Sequence, residues 1–145
     1  METKKQIEDI VINECLNYYG FSEDVLKDES RQHGKVICRQ TITWLIYVKC
    51  QYTMAQIGRI FDCHHSTIIH RLQCANSDMA LYPSYREEVS NLSYLIDLRL
   101  DYGDKEVKDM IYEYFRKFLP EKTSMKLYTN LVNWLEKSFK KKDTK

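Results

Sequence analysis

An all-α fold is predicted for this chain of 145 residues by two features of its sequence. Apolar residues recur at the three- and four-residue spacing that places them on one face of a helix, as at Ile7, Ile10 and Val11. No stretch alternates apolar and polar residues as a half-buried strand does, and only four glycines and two prolines are present to interrupt helices. Helices are therefore expected along nearly the whole chain.

Local end signals divide the chain into its expected elements. Gly20 is expected to end the first helix, because glycine readily adopts the left-handed backbone of a helix C-terminus. Gly34 lies in a polar stretch that is predicted to be a loop, and Thr53 with Gln56 forms a T-x-x-Q capping box for a later helix. Pro83 marks a further boundary. The predicted elements are a helix over 7–18, a turn over 22–28, a loop over 29–35, and helices over 36–50, 54–61, 65–79, 85–100, 107–118 and 125–139.

The composition limits the cellular setting. No apolar run is long enough to cross a bilayer, and the N-terminus lacks the apolar core of a signal peptide. The five cysteines form no C-x-x-C pair and are interpreted as reduced thiols. A cytoplasmic protein without membrane contact is therefore expected.

Charged side chains are segregated along the chain, although the net charge is only +1. Residues 1–30 carry three basic and eight acidic side chains, whereas residues 31–74 carry six basic side chains and one acidic one. All four histidines also lie within residues 31–74. Such a block indicates either a surface that meets a polyanion or an ordinary solvated helix face.

The segment FDCHHSTIIHRLQ, residues 61–73, lies where a helix of about two turns is followed by a short break and a longer helix. This arrangement is typical of the helix-turn-helix motif, in which the second helix enters the major groove of DNA. Ser66 and Thr67 fall at the start of the second helix, where short hydroxyl side chains meet base edges. Arg71 lies one turn beyond Thr67 and is expected to reach a phosphate.

Several segments of the chain resemble the C-terminal DNA-binding domain of the bacterial replication initiator DnaA, a Trp-repressor-like helix-turn-helix domain. The clearest signals are the I-G-x-x-F pattern at residues 57–61 and the H-S-T-I-I-H run at residues 65–70. The Arg39-Gln40 pair also looks like the family. The resemblance covers about residues 5–80, and it is most specific in its last third.

The resemblance implies a set of DNA-binding residues. In the family a basic loop before the long helix enters the minor groove, and the H-[ST]-T signature reads the major groove. The matching positions lie in that loop, on the long helix and around the start of the helix that follows the turn. Together with the flanking histidine and the later arginine, the predicted set is Arg31, Lys35, Arg39, Gln40, His64, His65, Ser66, Thr67 and Arg71.

The chain also departs from the family around the turn. The family has G-G-R-D between the phenylalanine and the histidine, whereas this chain has only Asp62-Cys63-His64. One residue is missing, and so are the family's arginine and aspartate, while the loop is less basic than is usual. These differences favour the alternative that the chain is a protein-interaction module that keeps the fold without specific DNA binding.

Other functions for the histidines are less well supported. Cys63, His70 and Cys74 offer zinc-ligand chemistry, but the paired close spacing of a closed zinc site is absent. The adjacent histidines have only Asp62 as a neighbouring carboxylate, so no enzyme is expected. The G-x-x-x-x-G-K-[ST] pattern is also absent, so neither nucleotide binding nor DNA melting driven by ATP is expected. No cofactor and no metal are predicted.

Two domains are predicted: a DnaA-like helix-turn-helix domain over 1–82 and a helical C-terminal extension over 83–145 that ends in a disordered basic tail. The aromatic residues of the extension indicate either a helical hairpin that packs its own core or a surface for a homodimer. The expected function is sequence-specific binding of double-stranded DNA by a cytoplasmic, nucleoid-associated protein. It would regulate replication initiation or transcription in a bacterium or its phage or mobile element.

Overall fold

The computed structural model describes residues 3–102, together with Asp109 and Asn133. Residues 3–102 form five α-helices and one 3-10 turn without any strand, which confirms the predicted all-α fold. None of these helices is long and apolar enough to cross a membrane. The predicted helices over 107–118 and 125–139 and the basic tail lie beyond residue 102, where the structure describes only Asp109 and Asn133. The elements are α1 Lys4–Tyr19, the 3-10 turn Glu23–Leu26, α2 His33–Cys50, α3 Met54–Phe61, α4 His65–Leu81 and α5 Pro83–Tyr102.

Side-chain and glycine caps define the ends of the first helices. Thr53 forms the predicted capping box of α3: its hydroxyl accepts the backbone N–H of Gln56 at 3.2 Å, and the Gln56 side chain accepts the N–H of Thr53 at 2.8 Å. Thr3 caps α1 in the same way. Gly20 ends α1 with φ at 79°, in the left-handed region that glycine enters without steric cost. These caps satisfy backbone groups that a helix leaves unpaired at its ends.

Helix α2 begins at His33, three residues before the predicted start at Val36. The prediction of a loop as far as Lys35 was wrong because it rested on Gly34, and glycine is a poor helix former. Here Gly34 lies in the first turn of α2 against the ring of Phe21, where an added Cβ would lie 3.4 Å from Cζ. Tertiary packing outweighs the local preference at this position, and it moves Lys35 from the loop into the helix.

The core of the domain is built around α2. Helices α1 and α4 both pack against it, and α3 packs against α4. The second and third turns of α2 are buried almost all round, so neighbouring helices hold this helix from several sides. Burial of these apolar side chains is the main force that fixes α4 relative to α2 and α3. The buried apolar residues at these contacts include Val11, Cys15, Leu16, Ile42, Leu45, Ile46, Ile57, Phe61, Ile68 and Leu72.

The first half of α5 belongs to the same compact unit as the four preceding helices. The chain divides into the units Met1–Ile96 and Asp97–Lys145. Within the first unit the Tyr85 hydroxyl lies 2.8 Å from Thr41 Oγ1, so α5 is tied to the centre of α2. This unit extends beyond residue 82, the predicted end of the first domain. That boundary was predicted from Pro83, which lies where α4 gives way to α5.

Candidate nucleic-acid interface

The turn between α3 and α4 is three residues long and depends on a glycine. Asp62 ends α3 in the left-handed conformation with φ at 53°, and the N–H of Cys63 donates to the carbonyl of Gly58 at 2.9 Å. A Cβ added to Gly58 would lie 2.6 Å from the carbonyl oxygen of Cys63. Because that oxygen belongs to the backbone, it cannot move aside without opening the turn. Gly58 therefore allows α4 to start directly against the last turn of α3.

His64 is the N-cap residue of α4. Its Nδ1 accepts the backbone N–H of Ser66 at 3.2 Å and lies 2.9 Å from Ser66 Oγ. An aspartate commonly supplies this acceptor at a helix N-terminus. Here an imidazole nitrogen supplies it. The ring of His64 also stacks on that of His65, with 4.1 Å between ring centroids and 37° between planes.

The first turn of α4 presents the H-H-S-T segment, residues 64–67, to solvent. His64, His65 and Ser66 are exposed, and Thr67 is half-buried. The next residue, Ile68, is fully buried and anchors the helix beneath them. The structure thus brings four of the predicted site residues together on one accessible helix start.

The Arg71 side chain, which was predicted to reach a phosphate, is half-buried against α3. Its guanidinium stacks on the ring of Phe61, with 4.7 Å from Cζ to the ring centroid. Burial lowers the pKa of the Arg71 guanidinium from its ordinary value. Nη1 is buried without a hydrogen-bond partner among the described residues. Arg71 therefore braces α4 against α3, and it does not extend into solvent toward a phosphate.

The loop before α2, residues 27–32, is ordered by a hydrogen bond within the loop and by hydrogen bonds from side chains of α2. Asp28 accepts the N–H of Ser30 at 2.8 Å through Oδ1 and the Lys35 ammonium at 2.7 Å through Oδ2. These two donors, Lys35 first, lower the pKa of Asp28 from its ordinary value. Arg39 donates to the carbonyl of Ser30 and, at 3.3 Å, to that of Val25. The loop is thus tied to the second turn of α2.

Three predicted site residues near this loop are engaged inside the domain. Lys35 pairs with Asp28, while Arg39 and Gln40 are only 5% and 4% exposed. Gln40 donates to Asp78 at 3.0 Å and to the hydroxyl of Tyr85 at 3.2 Å. Arg39 and Gln40 thus join α2 to the loop, to α4 and to α5. Their predicted contact with DNA stays a prediction.

Arg31 is the predicted loop residue that stays accessible. It is exposed, and it has neither a hydrogen bond nor an ion pair with any residue in the described part of the chain. Its backbone position is set by the neighbouring Ser30, whose carbonyl and N–H are both bonded. A cation on an ordered loop is suited to contact with a polyanion, since little freedom is lost on binding.

The sequence did not single out Arg59, which the structure places beside the start of α4. Arg59 is exposed in the last turn of α3 and lines an open depression together with Asp62, His64 and His65. The sequence signal for it was a basic residue in the last turn before the helix break. That signal is weak by itself, because cations are common at helix C-termini for electrostatic reasons.

Among the described residues, only a few side chains that could bind a metal ion lie close together. The Sγ of Cys74 lies 3.5 Å from Nε2 of His70, one helical turn away. No group of three or more His, Cys, Asp or Glu side chains suited to a metal ion occurs within the part of the chain that the structure describes. Two neighbouring groups do not make the four-ligand set of a structural zinc site.

Comparisons with known proteins agree with the resemblance seen in the sequence. Residues 7–74 match the family model described as the bacterial dnaA protein helix-turn-helix. The chain is 26% identical over 91 residues to the chromosomal replication initiator protein DnaA of Deinococcus radiodurans. That alignment spans 63% of this chain but only 19% of the initiator, so the chain resembles one part of that protein. The predicted family resemblance is confirmed, and a helix-turn-helix of this type implies DNA binding.

Proposed function

Since residues 7–74 match the helix-turn-helix domain of bacterial DnaA, we propose that this protein binds a specific sequence in double-stranded DNA. Through that binding it regulates replication initiation or transcription in a bacterium or its phage or mobile element. It acts in the cytoplasm, on the nucleoid, without catalysis and without a nucleotide. The relative in Deinococcus radiodurans is named as a replication initiator, which favours a role in replication.

The observation that carries the proposal is the exposed start of α4, residues 64–67. A recognition helix meets base edges with its N-terminal residues, and those residues need exposed side chains on a rigidly held helix. Here Ser66 is exposed, while Ile68 and the turn at Gly58 hold the helix in place. Hydroxyl and imidazole groups can donate to or accept from bases, so this segment is chemically suited to read sequence.

The loop before α2 supplies a second contact in this proposal. Arg31 is accessible on a loop that Asp28 and Arg39 order through hydrogen bonds. It is suited to a phosphate or to the negative potential of a minor groove. Together the loop and the start of α4 would hold DNA at two points, with reading concentrated on α4.

A protein-interaction module remains the alternative function, and one observation favours it. Residues 31–74 carry six basic side chains, but Arg39 is buried, Arg71 is half-buried against Phe61, and Lys35 is paired with Asp28. The accessible positive charge is therefore smaller than the composition indicates. The homodimer through the C-terminal helices stays a prediction, because those helices lie beyond residue 102.

The deciding experiment is selection of bound fragments from a random pool of duplex DNA with the full chain. The expected result is enrichment of one motif by the wild-type protein and its loss in Ser66→Ala. Ser77→Ala is the matched control, since Ser77 is an exposed serine near the other end of α4. If the wild-type protein enriches no motif and binds no duplex at low salt, the protein-interaction function replaces this one.

A further inference from the structure

Arg59 is exposed in the last turn of α3 and has no hydrogen-bond or ion-pair partner among residues 3–102. Its neighbour Gly58 lies against the Cys63 carbonyl and the backbone of His64. The short turn therefore brings the backbone of Arg59 close to the start of α4. Arg59 lines one depression together with the N-cap residue His64 and the first residue of α4, His65. An unpaired cation thus lies next to the segment that is suited to read DNA.

The charges in this depression make Arg59 important for a phosphate nearby. Asp62 is the acidic residue of the depression, and its carboxylate repels phosphate. Arg59 is the only permanently cationic side chain among the residues that line the depression, so it offsets Asp62 there.

A purely structural role for Arg59 does not explain why this residue lies beside the start of α4. A cation in the last turn of a helix interacts favourably with the helix dipole. That interaction would operate equally on a face that meets only solvent, whereas Arg59 lines a depression together with His64 and His65. In a helix-turn-helix the first helix crosses the DNA backbone while the second enters the groove. A guanidinium is well suited to a phosphate because it donates two parallel hydrogen bonds.

We propose that Arg59 binds a DNA phosphate beside the bases that α4 reads, so that the bracing helix α3 also holds the DNA. This inference rests on the proposed function. It assigns to α3 a positive contact at a place where the turn itself, Asp62-Cys63-His64, supplies no arginine. The contact positions the duplex and carries no sequence preference of its own.

The test is the salt dependence of duplex binding by four proteins: wild type, Arg59→Ala, Arg59→Lys and Arg86→Ala. Arg86 is the matched control, because it is exposed and donates to the carbonyl of Met79. Met79 lies near the far end of α4, about 20 Å from His65 at the rise of a helix. Kd is measured at 50 and 200 mM salt on the preferred site and on a random duplex, with thermal unfolding as the folding check.

For Arg59→Ala the expected result is weaker binding to both duplexes and a smaller salt effect. The ratio of Kd at 200 mM to Kd at 50 mM should fall about threefold relative to wild type, the share of one phosphate contact. Arg59→Lys should keep most of the salt effect because it keeps the charge, and Arg86→Ala should match wild type. All variants should remain folded at the temperature of the binding measurements.

Three outcomes would overturn the inference, and they are distinguishable. An unchanged salt effect and affinity in Arg59→Ala, with steep salt dependence in the wild type, rejects Arg59 alone and leaves the proposed function standing. Loss of affinity for the preferred site only, with the salt effect unchanged, rejects the phosphate contact. Absence of duplex binding by the wild type rejects both the inference and the proposed function.

Discussion

The imidazole of His64 caps helix α4 by accepting the backbone N–H of Ser66 at Nδ1, at a distance of 3.2 Å. The same ring is exposed at the candidate DNA surface and stacks on His65. One side chain therefore both ends the turn and shapes the surface that α4 presents.

The helix cap supplied by His64 leads to a stability prediction. His64→Ala should lower the free energy of unfolding by about 1 kcal/mol, because the N–H of Ser66 loses its acceptor. His64→Asn should retain most of the stability, since asparagine is a strong N-cap residue. Urea unfolding of the three proteins measures the difference. Equal stability of wild type and His64→Ala would show that the imidazole is not the cap.

A second prediction separates reading from holding at Thr67. Thr67→Ala should cost about 1–3 kcal/mol of binding free energy on the preferred duplex and leave binding to random duplex nearly unchanged. The reason is that Thr67 lies at the start of the recognition helix, where contacts are made to base edges. Fluorescence anisotropy titrations on the two duplexes provide the measurement. Equal losses on both duplexes would mean that α4 does not read sequence through this residue.

The close approach at Gly58 predicts an unusually damaging glycine substitution. Gly58→Ala should destabilise the fold by about 1–3 kcal/mol, the typical cost of forcing an extra carbon into a packed site. The new Cβ would lie 2.6 Å from a backbone oxygen of the turn. Thermal unfolding measures the effect.

Gly34→Ala is the control for this change, because its Cβ would meet only the ring of Phe21 at an ordinary 3.4 Å. An alanine within a helix is favoured over glycine by up to about 1 kcal/mol, so Gly34→Ala should be neutral or stabilising. If both variants lost the same stability, the turn at Gly58 would not be the cause.

The pairing of Asp28 with Lys35 predicts a variant that binds DNA more tightly. Asp28→Asn should release the Lys35 ammonium and remove a negative charge from the loop, so that binding to any duplex strengthens and its salt slope steepens by up to about one unit. Lys35→Ala should weaken DNA binding less than the loss of an unpaired lysine would, because the Asp28 carboxylate already balances the Lys35 charge. Salt titrations compare the three proteins. No gain in Asp28→Asn would place this loop away from the DNA.

The same pair predicts an acid-dependent loss of stability. The hydrogen bond from Lys35 lowers the pKa of Asp28 in the folded protein. The stabilisation is therefore present above the unfolded-state pKa of about 4 and is lost as the pH falls through the lower pKa of the folded state. Asp28→Asn lacks this titration, so the stability gap between the two proteins should narrow below about pH 4. Urea unfolding from pH 3 to pH 6 tests it, and a constant gap would contradict it.

Features that depend on neighbouring residues in the chain were predictable from the sequence. The capping box of Thr53 and Gln56, the helix end at Gly20 and the helix start at His65 were all predicted, and the structure confirms them. Each depends on contacts within one or two helical turns, so the residue pattern contains the necessary information. The DnaA-like resemblance likewise rests on a local run of residues, and the family comparison bears it out.

Only the tertiary structure shows which of the six basic side chains in residues 31–74 are accessible. The resemblance implies that Arg39 and Gln40 bind DNA, yet Arg39 donates to the carbonyls of Ser30 and Val25, and Gln40 donates to Asp78, nearly forty positions away. Burying such a polar group costs several kcal/mol unless partners are present, and only the folded chain brings those partners together. The sequence by itself therefore determined the helices, the turn and the class of domain. Folding determined which cations remain at the surface, because Lys35 and Arg39 bond to residues outside their own helix and Arg71 packs on Phe61 of the neighbouring helix.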